Sequence, residues 1–137
     1  MKLEGGCYCG TMRFVAEGDP LGTGQCHCRE CQYFTAGAPH MFMMMPPEGF
    51  RYTKGEPKTF KRSDLENAVT REFCPECGTQ LVTRRPGVPA VILKAGTFDD
   101  PKLFGMSQMA VFTIDKQPFN EIPADVPAFE RLPTRKR

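Results

Sequence analysis

Residues 74–78 read Cys74-Pro75-Glu76-Cys77-Gly78, and this stretch decides the fold. A two-residue gap lets the backbone turn so that both sulfurs point at one metal. The glycine after it permits a tight exit at positive φ. The stretch therefore predicts a zinc knuckle, which needs further ligands from elsewhere. Cys7-Tyr8-Cys9 offers a second pair, because residues two apart on an extended segment emerge on the same face. Gly5, Gly6 and Gly10 around it let the backbone crowd a metal. Joined, the two pairs would tie the N-terminal segment to a mid-chain hairpin through a closed site of four thiolates, the form that structural zinc takes.

Three of the seven cysteines remain, in Cys26-His27-Cys28-Arg29-Glu30-Cys31. Cys26 and Cys28 share a face by the same two-residue rule, and Cys31 returns one helical turn later. Three sulfurs can cap one metal and leave its fourth position open. Closed sites hold folds together and open sites do chemistry. His27 alternates to the opposite face, so it reads as a group beside the centre rather than as a ligand. His40 would complete the site and make it structural. The spacing also permits Cys7, Cys9, Cys26 and Cys28 to share one metal. Disulfides have no use for such clusters, and an odd number of cysteines cannot pair completely.

Length bounds the rest. A chain of 137 residues reads as one domain, small enough to profit from metal staples. Charged residues make up 25% and the formal net charge is +2; two bound zincs would bring it to about −1. That balance excludes a strong polyelectrolyte and makes nucleic acid an unlikely partner. No apolar signal segment is visible near Met1, and no run approaches a membrane span. Reduced cysteines without an export signal point to the cytoplasm.

Thirteen glycines and thirteen prolines punctuate the chain into short pieces, which favours strands and turns. Thr11–Ala16 reads as a strand with Met12, Phe14 and Ala16 on one face. Pro39–Met45 reads as a buried strand whose methionines fill the core. Further strands are expected at Phe50–Thr53, Lys58–Arg62, Val69–Cys74, Gln80–Arg84, Ala90–Lys94 and Ala110–Ile114. Arg29–Thr35 alone reads as a helix. From Pro118 the chain reads as an extended strap ending in Arg135-Lys136-Arg137.

The ordered set of motifs resembles the glutathione-dependent formaldehyde-activating enzyme family, whose domain also occurs in centromere protein V. The match runs through Gly6-Cys7-Tyr8-Cys9-Gly10, Arg13-Phe14, Cys26-His27-Cys28-x-x-Cys31, Gly37, Phe50 and Gly55. It continues through Arg71-x-Phe73-Cys74-x-x-Cys77-Gly78-Thr79, Ala95-Gly96-Thr97-Phe98-Asp99 and Lys116-Gln117-Pro118. Ala110 and Phe119 stand where many relatives carry histidine and tryptophan. The resemblance implies a mainly β fold of small stacked antiparallel sheets, a β-tent stapled by zinc, with one or two short helices. It implies a domain over residues 1–120, with 121–137 as a Pro-rich strap belonging to it. It assigns Cys7, Cys9, Cys74 and Cys77 to a structural zinc, and Cys26, Cys28 and Cys31 to a second, catalytic zinc. The implied reaction joins a thiol such as glutathione to formaldehyde or a related small aldehyde, a carbon–sulfur lyase activity in reverse.

The chemistry of an open three-thiolate centre fits that reaction. Such a zinc is a weak Lewis acid, but a thiol that binds it loses its proton and stays nucleophilic. The carboxylates of the thiol would need cations, for which Arg13, Arg29, Arg62 and Arg71 are candidates. Two other functions use the same residues: a partner-binding module with two structural zincs, and a redox or zinc sensor that releases its metal from the three-cysteine site.

Overall fold

Ten short strands, one α-helix and four 3₁₀ turns make up the computed structural model, which describes residues 1–133. The strands are β1 (Lys2–Gly6), β2 (Arg13–Glu17), β3 (Gly22–Cys26), β4 (His40–Met45) and β5 (Phe50–Lys54). They continue with β6 (Lys58–Phe60), β7 (Thr70–Phe73), β8 (Gln80–Arg84), β9 (Val91–Lys94) and β10 (Ala110–Val111). The helix α1 spans Arg29–Thr35, as its sequence predicts. Two compact units result: residues 1–22 with 43–105, and residues 23–42 with the described residues from Met106 onward. β4 carries the chain from the second unit into the first.

The first unit holds an antiparallel sheet in the order β1-β2-β5 and an antiparallel run β9-β8-β7-β6. Phe14 and Ala16 of β2 are buried with Met12, on the face the alternation predicts. Val15, on the other face, is buried too, so both sides of this strand are covered. Leu3, Leu81, Val82, Val91, Leu93, Phe98 and Phe104 are also in the core, with Met43 and Met45 as apolar filler. The register of β7 against β8 shifts between Glu72 and Phe73. Such a bulge bends a strand and re-aims the residues beyond it, here Phe73 and then Cys74.

β1 and β3 are strands that the sequence does not announce, because Lys-Leu-Glu-Gly-Gly and Gly-Thr-Gly-Gln-Cys read as turns. Their glycines serve close approach instead. A Cβ on Gly24 would lie 2.7 Å from the Phe42 ring and 3.0 Å from the Met109 carbonyl.

In the second unit β10 runs parallel to β3, pairing Ala110 with Gln25 and Val111 with Cys26. The sheets are therefore mixed rather than wholly antiparallel. The expected strand Ala110–Ile114 ends early, because Phe112 turns left-handed and Thr113–Asp115 forms a 3₁₀ turn. The strap beyond Pro118 folds back on β10. Ala110 N donates to Pro127 O at 2.8 Å, and Phe129 N donates to Ala110 O at 2.9 Å. The basic end, Arg135-Lys136-Arg137, lies outside the described residues. No helix among the described residues is long and apolar enough to cross a membrane.

Candidate metal centres

The seven thiols gather as four and three. Cys7, Cys9, Cys74 and Cys77 form one group in which every sulfur lies within 4.8 Å of the others, and Cys26, Cys28 and Cys31 form a second. The first group lies wholly in the first unit and the second wholly in the second.

In the four-cysteine group the bulge at the end of β7 leads to Cys74, and a turn delivers Cys77. Gly78 exits at φ 79° and its N–H bonds Cys74 O at 2.9 Å. Two knuckle amides, Glu76 N and Cys77 N, point at Cys74 Sγ from 3.4 and 3.5 Å. On the N-terminal side Met12 N donates to Cys7 Sγ at 3.1 Å. Tyr8 N reaches Thr79 Oγ1 at 3.1 Å and joins the two loops. Amides aimed at sulfur stabilise its ionised form. Cys7 Sγ lies 3.7 Å from Cys9 Sγ, and Cys9 Sγ lies 3.8 Å from Cys74 Sγ. A tetrahedral zinc with bonds of about 2.3 Å to sulfur separates its ligands by about 3.8 Å. A disulfide would need about 2.05 Å. The donor set fits zinc.

The acidities of these crowded thiols diverge. The Thr79 hydroxyl, then the Thr79 and Cys9 amides, pull Cys77 down to about 5. Burial pushes Cys74 up to about 11. Burial also pushes Cys7 upward, but the Met12 amide and the neighbouring thiols Cys74 and Cys9 outweigh it, and its pKa falls. One thiolate forms readily and its charge opposes the next. A divalent cation reverses that opposition by neutralising several at once.

The three-cysteine group is built on the entry to α1. Cys28 is the N-cap, extended at φ −63°, ψ 153°, and its Sγ accepts from Cys31 N at 3.3 Å. Cys26 comes from the end of β3. The helix closes through Ala36, left-handed at φ 58°, with Gly37 N bonded to Gln32 O at 2.9 Å. Hydrogen bonding with Cys28 raises Cys26 to about 11. Cys26 and then Cys28 push Cys31 still further up. These sulfurs too are a soft donor set that suits zinc, and they fall one ligand short of a closed site.

Both histidines have definite places. His27 is 1% exposed, and its Nε2 pairs with Gln25 Oε1 at 2.9 Å. Burial, helped by Lys116, lowers its pKa. His40 Nδ1 lies 3.7 Å from Cys31 Sγ, yet His40 does not join the set of mutually close ligand atoms.

Sequence reasoning missed the apolar wall of this centre. Cys26, Cys31 and Val111 form a buried cluster against which Cys28, Phe42, Met109 and Phe112 pack. No local signal marks these residues, which come from distant parts of the chain. Gln32 is a second omission: its Nε2 donates to His27 O and to Asp115 O, both at 2.9 Å, and so ties α1 to the turn after β10. Of the four arginines, Arg13 is paired bidentately with Asp99 and Arg62 with Asp64. Arg71 is 8% exposed. Arg29 follows Cys28 directly, lies over the Tyr33 ring at 5.0 Å and bonds Gln32 Oε1. Ala110 is fully buried in β10, whereas Phe119 is exposed, its ring beside Gly37.

The family model described as glutathione-dependent formaldehyde-activating enzyme matches residues 2–115. None of the curated proteins matches the chain. Among solved structures, the crystal structure of a Rhodobacter sphaeroides protein is similar at 18% identity and a TM-score of 0.57. The likeness covers 76% of this chain and 96% of that one, and at that identity it speaks for the fold alone.

Proposed function

The chain belongs to the glutathione-dependent formaldehyde-activating enzyme family, and on that premise we propose that it is a zinc-dependent carbon–sulfur lyase. It adds a thiol such as glutathione reversibly to formaldehyde or a related small aldehyde. The observation that carries the reading is the division of the cysteines into a four-sulfur set and a three-sulfur set. The first has the ligand count of a structural zinc, and the second leaves room for a substrate sulfur.

Zinc in the three-cysteine centre would lower the pKa of a thiol that ligates it, so that sulfur is a nucleophile near neutral pH. In the addition a carbon–sulfur bond forms, the carbonyl π pair moves to oxygen, and oxygen takes up a proton equivalent to the one the thiol released. The reverse reaction breaks the same bond. Cys26, Cys28 and Cys31 are the ligands, and the Cys31 amide steadies the Cys28 sulfur. Val111, Phe42 and Met109 line the centre with apolar surface, which keeps water from competing with the incoming sulfur. Arg29, which follows Cys28 directly, is the cation assigned to meet a thiol's carboxylate.

One observation favours a second reading. His40 Nδ1 is 3.7 Å from Cys31 Sγ, so a small shift would make a closed site of three cysteines and one histidine. The protein would then be a zinc-binding module with a partner-binding or sensing role. Native mass spectrometry of reduced protein, titrated with glutathione, separates the two. The enzyme reading expects an adduct only on the two-zinc species, retention of the second zinc by His40→Ala, and loss of turnover in Cys28→Ser with the fold kept. Turnover unchanged in Cys28→Ser sinks it; loss of the second zinc in His40→Ala supports the module.

A further inference from the structure

Phe112 stands in the left-handed region at φ 54°, ψ 40°, where a bulky side chain is rare and is held only by its surroundings. Those surroundings are visible. On one side, β10 pairs with β3 up to Cys26. On the other, the strap lies against the turn: Phe112 N donates to Arg131 O at 3.2 Å, Thr113 N to Phe129 O at 3.1 Å and Ile114 N to Glu130 O at 3.3 Å. The Thr113 hydroxyl also donates to Phe129 O, at 3.1 Å. These strap residues lie beyond Asp115, where the family match ends. Glycine or asparagine would satisfy this backbone with less strain. The chain has a phenylalanine there, and its partly buried ring packs on the cluster of Cys26, Cys31 and Val111.

We propose that Phe112 is the specificity-determining wall of the three-cysteine centre, admitting primary thiols and excluding those branched at the carbon that bears sulfur. The inference rests on the thiol-binding reading above and goes beyond it by naming the substrate class and the residue that selects it. The Phe112 ring packs against the cluster that contains Cys26 and Cys31, so on this proposal the first carbon of a thiol held by them passes that ring. An unbranched CH₂ passes the ring; two methyl groups on that carbon collide with it.

The test uses full-length reduced protein loaded with cobalt(II), whose thiolate charge-transfer and ligand-field bands report the ligands directly. N-acetylcysteine and N-acetylpenicillamine are the probes, alike in charge and different by two methyl groups beside sulfur. The parent should bind the first at least about tenfold more tightly, the scale of discrimination that a methyl-sized clash produces. Phe112→Gly, which suits the left-handed backbone, should reduce that ratio to near unity, and Phe112→Leu should give an intermediate value even if the glycine variant folds poorly. An unchanged ratio in both variants, with bands that still respond to thiol, overturns the role of Phe112 and leaves thiol binding standing. Bands that respond to neither thiol in the parent overturn the thiol reading and this inference together.

Discussion

Replacing Gly5 by alanine should destabilise the first unit, although in most strands the same change helps. Alanine in a strand interior is ordinarily favoured over glycine by about 0.5–1 kcal/mol, through the lower entropy of the unfolded chain. At Gly5 a Cβ would stand 2.3 Å from Thr97 O and 2.6 Å from Phe14 Cζ, where ordinary contact begins at 3.4 Å. A displacement of about 1 Å is needed, and neither neighbour yields easily. Thr97 O is backbone in a 3₁₀ turn closed by Phe98 N on Ala95 O. Phe14 is 1% exposed and packs against Phe50 with ring centroids 5.7 Å apart. Overpacking of this kind costs about 2–3 kcal/mol. The net loss is then about 1–2.5 kcal/mol. With a urea slope of about 2 kcal/mol/M, the midpoint of zinc-loaded protein should fall by roughly 0.5–1.2 M. Gly96→Ala is the control, because a Cβ there meets nothing within 4 Å. Since β1 leads directly to Cys7, the displaced strand should also surrender zinc to a chelator sooner. A Gly5→Ala midpoint at or above that of the parent refutes the close-approach argument.

Cys77→Ser should remove about one equivalent of zinc per chain and lower the melting temperature, since a structural zinc contributes folding free energy directly; metal analysis showing an unchanged zinc content would contradict the four-sulfur assignment. Asp99→Asn tests the ion pair with Arg13, which holds the Asp99 carboxyl below its ordinary value. A carboxyl depressed in the folded state stabilises above its unfolded pKa of about 4, and that contribution disappears as pH falls through the lower folded value. The parent should thus exceed Asp99→Asn in stability at pH 7 by less than about 1 kcal/mol, because both side chains are partly exposed and solvent screens them. The difference should shrink below pH 4, and a constant difference from pH 7 to pH 3 would show that the charge is not its cause.

The two cysteine groups that could hold metal were legible because ligand spacing is a local property. Cys74-x-x-Cys77-Gly78 turns with Gly78 at positive φ, as the spacing requires. Cys28 caps the one helix that its cluster predicts. Elements whose pattern depends on partners far along the chain were not legible. β1 and β3 use glycine to let another chain segment approach, as Thr97 O does at Gly5 and Phe42 does at Gly24. Glycine in isolation reads as a break. The apolar run from Ala110 to Ile114 has strand-like composition, but two residues of pairing are followed by the left-handed Phe112. Nothing local forecasts that turn, because the bonds that hold it come from residues 129–131.

The same distinction orders the function. The cysteines that could hold metal are announced by their neighbours in sequence, so their spacing alone marks them. Phe42, Met109, Val111 and Phe112, which pack around Cys26 and Cys31, are assembled by tertiary contact. Phe112 is in addition held by a strap outside the matched region. Substitution in that wall leaves the sulfurs where they are and changes the space beside them. On the proposed reading, selectivity among thiols can therefore be changed in this chain without touching the cysteines. The cobalt titration with thiols of graded branching tests this separation, because it reads metal retention and ligand choice from one spectrum.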